Sequence, residues 1–160
     1  MQTYKPALIT MTTFNRTTSD NADFQTLVAM LDKDLSIRDG EEHAFYAQFN
    51  KVQNIQHVIV CCKDDKPIGC GAFKEYAPQK VEIKRMFVLP EYRGHGIAFN
   101  ILKELELWAL ELSNTACVLE TGKKQPEAIG LYKKAGYDII ESYGQYKNVE
   151  NSVCMMKSIV

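Results

Sequence analysis

The sequence predicts an α/β chain of the α+β kind, with a mixed sheet of about seven strands and helices between them. Three observations carry this reading. Apolar residues switch repeatedly between period-two and helical spacing along the chain. The turn "KDDKP" (residues 63–67) joins two β-like runs directly, so the early pairing is antiparallel. The runs at 81–88 and 116–121 are separated by a long helical pattern, which predicts a parallel β-α-β step.

The elements follow in order. "YKPALITMTTF" (residues 4–14) reads as the first strand. Phe24, Leu27, Val28, Leu31 and Leu35 recur at helical spacing, with Asp20, Asn21 and Asp23 as possible caps. A shorter helix is expected over Glu41 to Phe49. "HVIVCC" and "IGCGAFKEY" are strands, and Gly69 and Gly71 in the second suggest a bulge or close packing. "KVEIKRMFVL" is a further strand, ended by Pro90. Ile97, Ile101, Leu102, Leu105, Trp108, Ala109 and Leu112 trace one face of a long helix. "ACVLET" is a strand with apolar residues on both faces. A helix is expected over Ala128 to Ala135, with Pro126 near its first turn and Gly136 as its stop. "YDIIESYGQY" and "SVCMMKSIV" are expected as two closing strands. Nothing divides the chain, so residues 1–160 are expected to form one domain.

Composition narrows the function. The net charge of −1 offers no bulk attraction for nucleic acid or a membrane surface. No apolar run reaches the roughly 20 residues of a membrane helix. The start lacks the basic-then-apolar build of a signal peptide, so a cytoplasmic protein is expected. The five cysteines form no C-x-x-C and are odd in number, so neither a disulfide framework nor a metal site is signalled. His43, His57 and His95 are dispersed along the chain.

The stretch "EYRGHGIAFNIL" (residues 91–102) holds a glycine-rich turn entering the long helix. A dinucleotide fingerprint needs a third glycine where Phe99 stands, and a P-loop needs Gly-Lys-Ser/Thr. Neither is present. What remains is backbone N–H groups and a helix dipole facing whatever the turn approaches, which suits a pyrophosphate. A tight turn with no ligand is the alternative at this point.

Arg93, Gly96 and Ala98 fit R/Q-x-x-G-x-G/A, directly after a strand ending "MFV" and before a long helix. This resembles the acetyl-CoA-binding motif of the GNAT superfamily of N-acyltransferases. Downstream, "LETGKKQPEAIGLYKKAGY" is similar to that superfamily's second signature. Gln125, Ala128, Tyr132, Gly136 and Tyr137 stand at its positions, Gln125 in place of the commoner asparagine.

The resemblance implies a GNAT-like three-layer fold, with helices on both faces of the sheet and two central parallel strands that splay. Backbone of Met86, Phe87 and Val88 would pair with the pantetheine arm of acetyl-CoA. The N–H of Val88 would polarise the thioester carbonyl. The pyrophosphate would meet residues Arg93, Gly94, His95, Gly96, Ile97 and Ala98, and Gln125, Ala128 and Tyr132 complete the cofactor set. No metal is implied. Tyr132 is the candidate acid for the leaving thiol, and Glu82 the candidate base. Period-two alternation puts Glu82, Lys84, Met86 and Val88 on one face of the strand. The alternatives are a core tyrosine, and a Glu82 that pairs with Lys84 or Arg85.

The acceptor would be a small-molecule or peptide amine. Residues 15–50 carry four more acids than bases, which would attract a cationic amine or simply solvate helix faces. Tyr143, Tyr146, Asn148, Asn151 and Ser152 are possible contributors. A homodimer is compatible with edge strands near the C-terminus. An acyl-CoA sensor without turnover is the rival reading.

Overall fold

The computed structural model describes residues 11–40 and 54–160. Seven strands form one sheet: β1 (Thr12–Thr17), β2 (His57–Lys63), β3 (Lys66–Ala77), β4 (Lys80–Val88), β5 (Ala116–Gly122), β6 (Asp138–Ile140) and β7 (Ser152–Ser158). Their order is β1-β2-β3-β4-β5-β7-β6. Among the described residues only β4 and β5 run parallel. The described α-helices are α1 (Ala22–Asp39), α2 (Ile97–Glu111) and α3 (Pro126–Lys134). The expected mixed sheet and its parallel step are both present.

Local sequence explains most of these elements. Asn21 opens α1, its side chain accepting from the N–H of Phe24 at 2.9 Å. Phe24, Leu27, Val28 and Leu31 then bury one face of the helix. The turn between β2 and β3 places Asp64 and Asp65 at φ of 49° and 65°. Two left-handed residues are what a tight hairpin of matching twist requires. Gly136, at φ 100°, ends the chain's run out of α3.

Two faces of the sheet are covered. His57 stacks on Phe73, and both rings meet Trp108 of α2 edge-on, so α2 lies over that face. Tyr137, just after α3, donates its hydroxyl to Glu106 of α2, which sets α3 on the same side. Arg85 of β4 reaches Asp32 of α1, which covers the opposite face. Arg38 of α1 and Glu127 of α3 pair beyond the sheet's end, joining the two sides.

The structure corrects several expectations. Among the described residues the first strand covers Thr12–Thr17, three residues past the expected end at Phe14; residues 1–10 and the helix expected over 41–49 lie outside the described residues. The expected strand over 137–146 is only Asp138–Ile140, followed by a 3-10 turn at Gly144–Tyr146. There the chain turns inward to bury Tyr143 and Tyr146 instead of extending. On α2, Leu112 is 48% exposed because it lies past the last turn. Glu106 takes the buried place, held by Tyr137 at 2.9 Å and Lys157 at 2.7 Å.

The largest correction concerns β4. Its register against β3 shifts between Cys70↔Phe87 and Ala72↔Lys84, and Arg85 sits in the shift at φ 59°. One extra residue in β4 is a β-bulge, and it inverts the alternation beyond it. Glu82 and Lys84 share a face, their side chains 3.2 Å apart. Met86 points to the other face, against Gly71 and α2. Thus Glu82 and Lys84 do not share a face with Met86 and Val88.

Gly71 makes that packing possible. A Cβ there would lie 2.5 Å from Met86 Sδ and 2.9 Å from Ile101 and Leu105. Overpacking of this kind costs about 1–3 kcal/mol. Gly71→Ala is therefore expected to lower unfolding stability by about that amount in urea titrations. An unchanged midpoint would mean that Met86 moves aside freely.

Candidate active site

Parallel pairing between β4 and β5 covers three residue pairs and ends at Glu82↔Val118. Beyond it β4 stays with β3 up to Val88, and β5 stays with β7 up to Gly122. The two strands therefore part, and backbone on their facing edges is left to other partners. Leu89 donates to Ile68 across the β3–β4 ladder at 2.9 Å. Antiparallel alternation then turns the N–H and C=O of the next residue back, Val88, away from β3 and into the gap. Arg93 takes that carbonyl with its Nε at 2.8 Å, and its guanidinium lies over the Phe87 ring. Arg93 thus braces the turn to the strand end.

A groove of about 410 Å³ opens along this gap. Met86, Phe87, Val88, Arg93, Gly94, Gly96, Ile97, Ala98, Gln125, Ala128 and Tyr132 all line it. His95 is not among its lining residues, and its side chain is exposed. Gly94 and Gly96 have φ of 83° and 78°, and a Cβ at either would meet nothing within 4 Å. Left-handed backbone, not crowding within the chain, accounts for both glycines. No side chain caps α2. The N–H groups of Ile97, Ala98 and Phe99 therefore face outward with the positive end of the helix dipole. This donor set fits a diphosphate.

The groove continues into a smaller polar pocket of about 120 Å³, with Met86, Gln125, Ala128 and Tyr132 on their common wall. Glu82 lies at its base, 4% exposed. Its Oε1 is 3.2 Å from Lys84 Nζ, and its Oε2 accepts from Tyr143 Oη at 2.7 Å. The pairing with Lys84, given above as the alternative for Glu82, is therefore present. Burial lowers the Lys84 ammonium from its ordinary value. The Tyr143 phenol is pushed up by burial first and then by the Glu82 charge and hydrogen bond. Tyr132 is 7% exposed, and burial followed by the charge of Glu120 raises its phenol well above 10. Cys117, near the parallel pair, is buried and its thiol is pushed up to about 12, so it is no nucleophile.

Residues 24–137 match the model of the acetyltransferase (GNAT) family. The chain belongs to this family. An IAA acetyltransferase of Azospirillum brasilense is 33% identical over 102 residues, 63% of this chain and 67% of that one. The uncharacterized N-acetyltransferase YsnE of Bacillus subtilis is 31% identical over 59% of this chain and 64% of its own length. The matched segments thus span about two thirds of these curated relatives. Among solved structures, a candidate acyl-CoA N-acyltransferase of Klebsiella pneumoniae is 26% identical. It superposes over 94% of this chain and 99% of its own with a TM-score of 0.78. The PaiA N-acetyltransferase of Thermoplasma acidophilum, solved in complex with coenzyme A, has a TM-score of 0.69. At 17% identity over 92% of this chain and 99% of its own, it shares the fold.

Within this GNAT frame the structure adds residues that the sequence reading left without a place. Tyr143 was expected only as a possible acceptor contact, yet it holds Glu82. Lys84 and Arg85 entered only as possible partners of Glu82, and both side chains are buried on its face of the sheet. Their signal was visible: two adjacent cations inside an otherwise apolar strand. Among the described residues no helix is long and apolar enough to cross a membrane, and no cluster of three metal-ligating side chains occurs.

Tyr143→Phe would leave a buried carboxylate oxygen without its donor. Such a loss costs about 1–3 kcal/mol, so a matching fall in unfolding free energy is expected. A fall below 0.5 kcal/mol, read from denaturant curves at ~pH 7, would mean that water replaces the hydroxyl.

Proposed function

We propose that the protein transfers the acetyl group of acetyl-CoA directly to a primary amine of a small-molecule or peptide acceptor. One observation carries the reading: a groove along two parted parallel strands leads into a buried polar pocket, and Tyr132 stands on the wall common to both. Acetyl-CoA supplies a thioester, whose acyl carbon accepts an amine without a covalent enzyme intermediate. The chain's own groups do the rest.

The first turn of α2 and the Gly94–Gly96 backbone hold the diphosphate. The gap-facing backbone of the Met86–Val88 stretch, that of Met86 and Val88, pairs with the pantetheine arm, which runs as an additional strand, while the Phe87 backbone stays in the ladder to β3. The Val88 N–H donates to the acyl oxygen, where negative charge grows. Glu82 takes the proton that the acceptor ammonium must lose. Each Glu82 oxygen already accepts one bond, but a carboxylate offers about four acceptor sites, so capacity remains. A C–N bond forms as the C–S bond breaks; Tyr132 gives its proton to the departing sulfur, and the second proton leaving the acylated nitrogen returns through water to restore the phenol. The raised phenol is protonated throughout the neutral range, which suits a donor.

Thiol release from acetyl-CoA, followed with a panel of amines, tests the proposal directly. Binding of acetyl-CoA with no release for any amine would overturn it in favour of a sensor. Tyr132→Phe is expected to lower kcat on the order of 10²-fold while leaving calorimetric CoA affinity within about threefold. Its burial predicts no loss of the Tyr132 acid below pH ~10 in the wild-type kcat profile. Gly96→Ala is expected to weaken CoA binding at least ~10-fold, with a stability loss of only about 1–2 kcal/mol from the left-handed backbone. Normal CoA affinity in that variant would refute the diphosphate assignment.

A further inference from the structure

The polar pocket holds more charge than proton transfer needs. Glu82, Lys84, Arg85, Glu120, Thr121 and Tyr146 all line it. Both signs are present in a space of about 120 Å³, which suits a small acceptor rather than a bulky one. Two cations stand side by side on one strand, and burial first, with the neighbouring guanidinium adding to it, lowers the Lys84 ammonium.

Arg85 is the unusual member. Its side chain is 2% exposed, and its backbone is left-handed at φ 59°, a conformation that arginine rarely adopts. The bulge turns Arg85 onto the same face as Glu82 and Lys84, which a regular strand would forbid. Bulges beside active sites commonly re-aim a side chain in this way. Its Nη2 lies 2.5 Å from Asp32 Oδ1 on α1. Its Nε is buried and has no hydrogen-bond partner. Nε–H and Nη2–H form one edge of the guanidinium, which accepts a carboxylate through two parallel bonds. Asp32 uses half of that edge. Its own carboxylate is 48% exposed, so water compensates it readily when the bond is lost.

We infer that Arg85 binds a carboxylate of the acceptor, so that the amine acetylated belongs to an amino acid or a similar small zwitterion. This rests on the transfer reading above. An acceptor carboxylate entering the pocket takes the Nε–Nη2 edge and releases Asp32 to solvent. The acceptor's ammonium then faces the acidic part of the same pocket, with Glu82 as the proton acceptor. The carboxylate fixes the direction in which the amine approaches the thioester, and the fork of the buried guanidinium matches its geometry as well as its charge. An amine of the same skeleton without the carboxylate leaves the edge half-made and loses that orientation.

The test compares matched pairs in the thiol-release assay: phenylalanine against phenethylamine, and 4-aminobutanoate against butylamine. The expected result is a kcat/KM at least ~10-fold higher for the carboxylate-bearing member of at least one pair. Arg85→Met should bring that ratio below ~3, chiefly through KM. Arg85→Lys keeps the charge without the fork, and should give an intermediate ratio if Arg85→Met fails to fold. Asp32→Asn removes the charge of the internal partner and should keep the ratio above ~10. A merely structural arginine would instead make Asp32→Asn and Arg85→Met alike. Equal kcat/KM within both pairs, or an equal loss on both members in Arg85→Met, overturns the inference and leaves the transfer reading standing. No release with any amine overturns both together.

Discussion

The site depends on a mismatch between the two strands at the sheet's centre. β5 keeps its ladder to β7 along its whole length, and β4 keeps its ladder to β3 apart from the bulge. Between them only three pairs hold. Each strand follows its antiparallel partner, whose pairing is the stronger constraint per residue. The bulge at Arg85 adds local twist to β4 just past the last parallel pair. Parting is therefore the result of two well-made ladders that diverge, and the wedge between them is bordered by backbone donors and acceptors that neither ladder uses.

That wedge orders the chemistry along its axis. At its wide end the uncapped α2 contributes N–H groups and a dipole without any side-chain charge. At its narrow end buried side chains supply the charge: Glu82 against Lys84, and Arg85 against Asp32. Buried pairs of this kind add little net stability, and breaking one is costly. Tyr143 adds a second donor to Glu82 from a different part of the chain. The 3-10 turn at Gly144–Tyr146 is what brings that hydroxyl within reach. The end of the chain thus closes the site that β4 opens.

Much of this was legible in the sequence, for identifiable reasons. Apolar periodicity gave α1 and α2, because one-sided burial leaves a strong helical signature. The motif carried by Arg93, Gly96 and Ala98 marked the groove, because a backbone donor set forces small residues where a ligand approaches. Three features escaped. The boundary of β1 was missed because its Thr-rich stretch has little apolar contrast. The shortness of β6 was hidden because Tyr143 and Tyr146 look strand-like whether they lie along a sheet or fold onto it. The bulge was invisible because a single inserted residue leaves no mark in composition, and Arg85 is a poor candidate for a left-handed backbone. The error on β4 followed directly, since alternation was carried straight through it.

The bulge also acts as a frame shift for side chains. Upstream of Arg85, even-numbered positions of β4 look towards α1; downstream, they look towards α2. A strand that must serve both a polar pocket and a tight helix interface can thereby assign each stretch its own parity. Deleting one residue here would do what no substitution can. It would restore a regular ladder with Met86, Phe87 and Val88 on their present faces, and would take the extra side chain out of the pocket face. The length of this strand is for that reason as much a determinant of the site as any side chain on it.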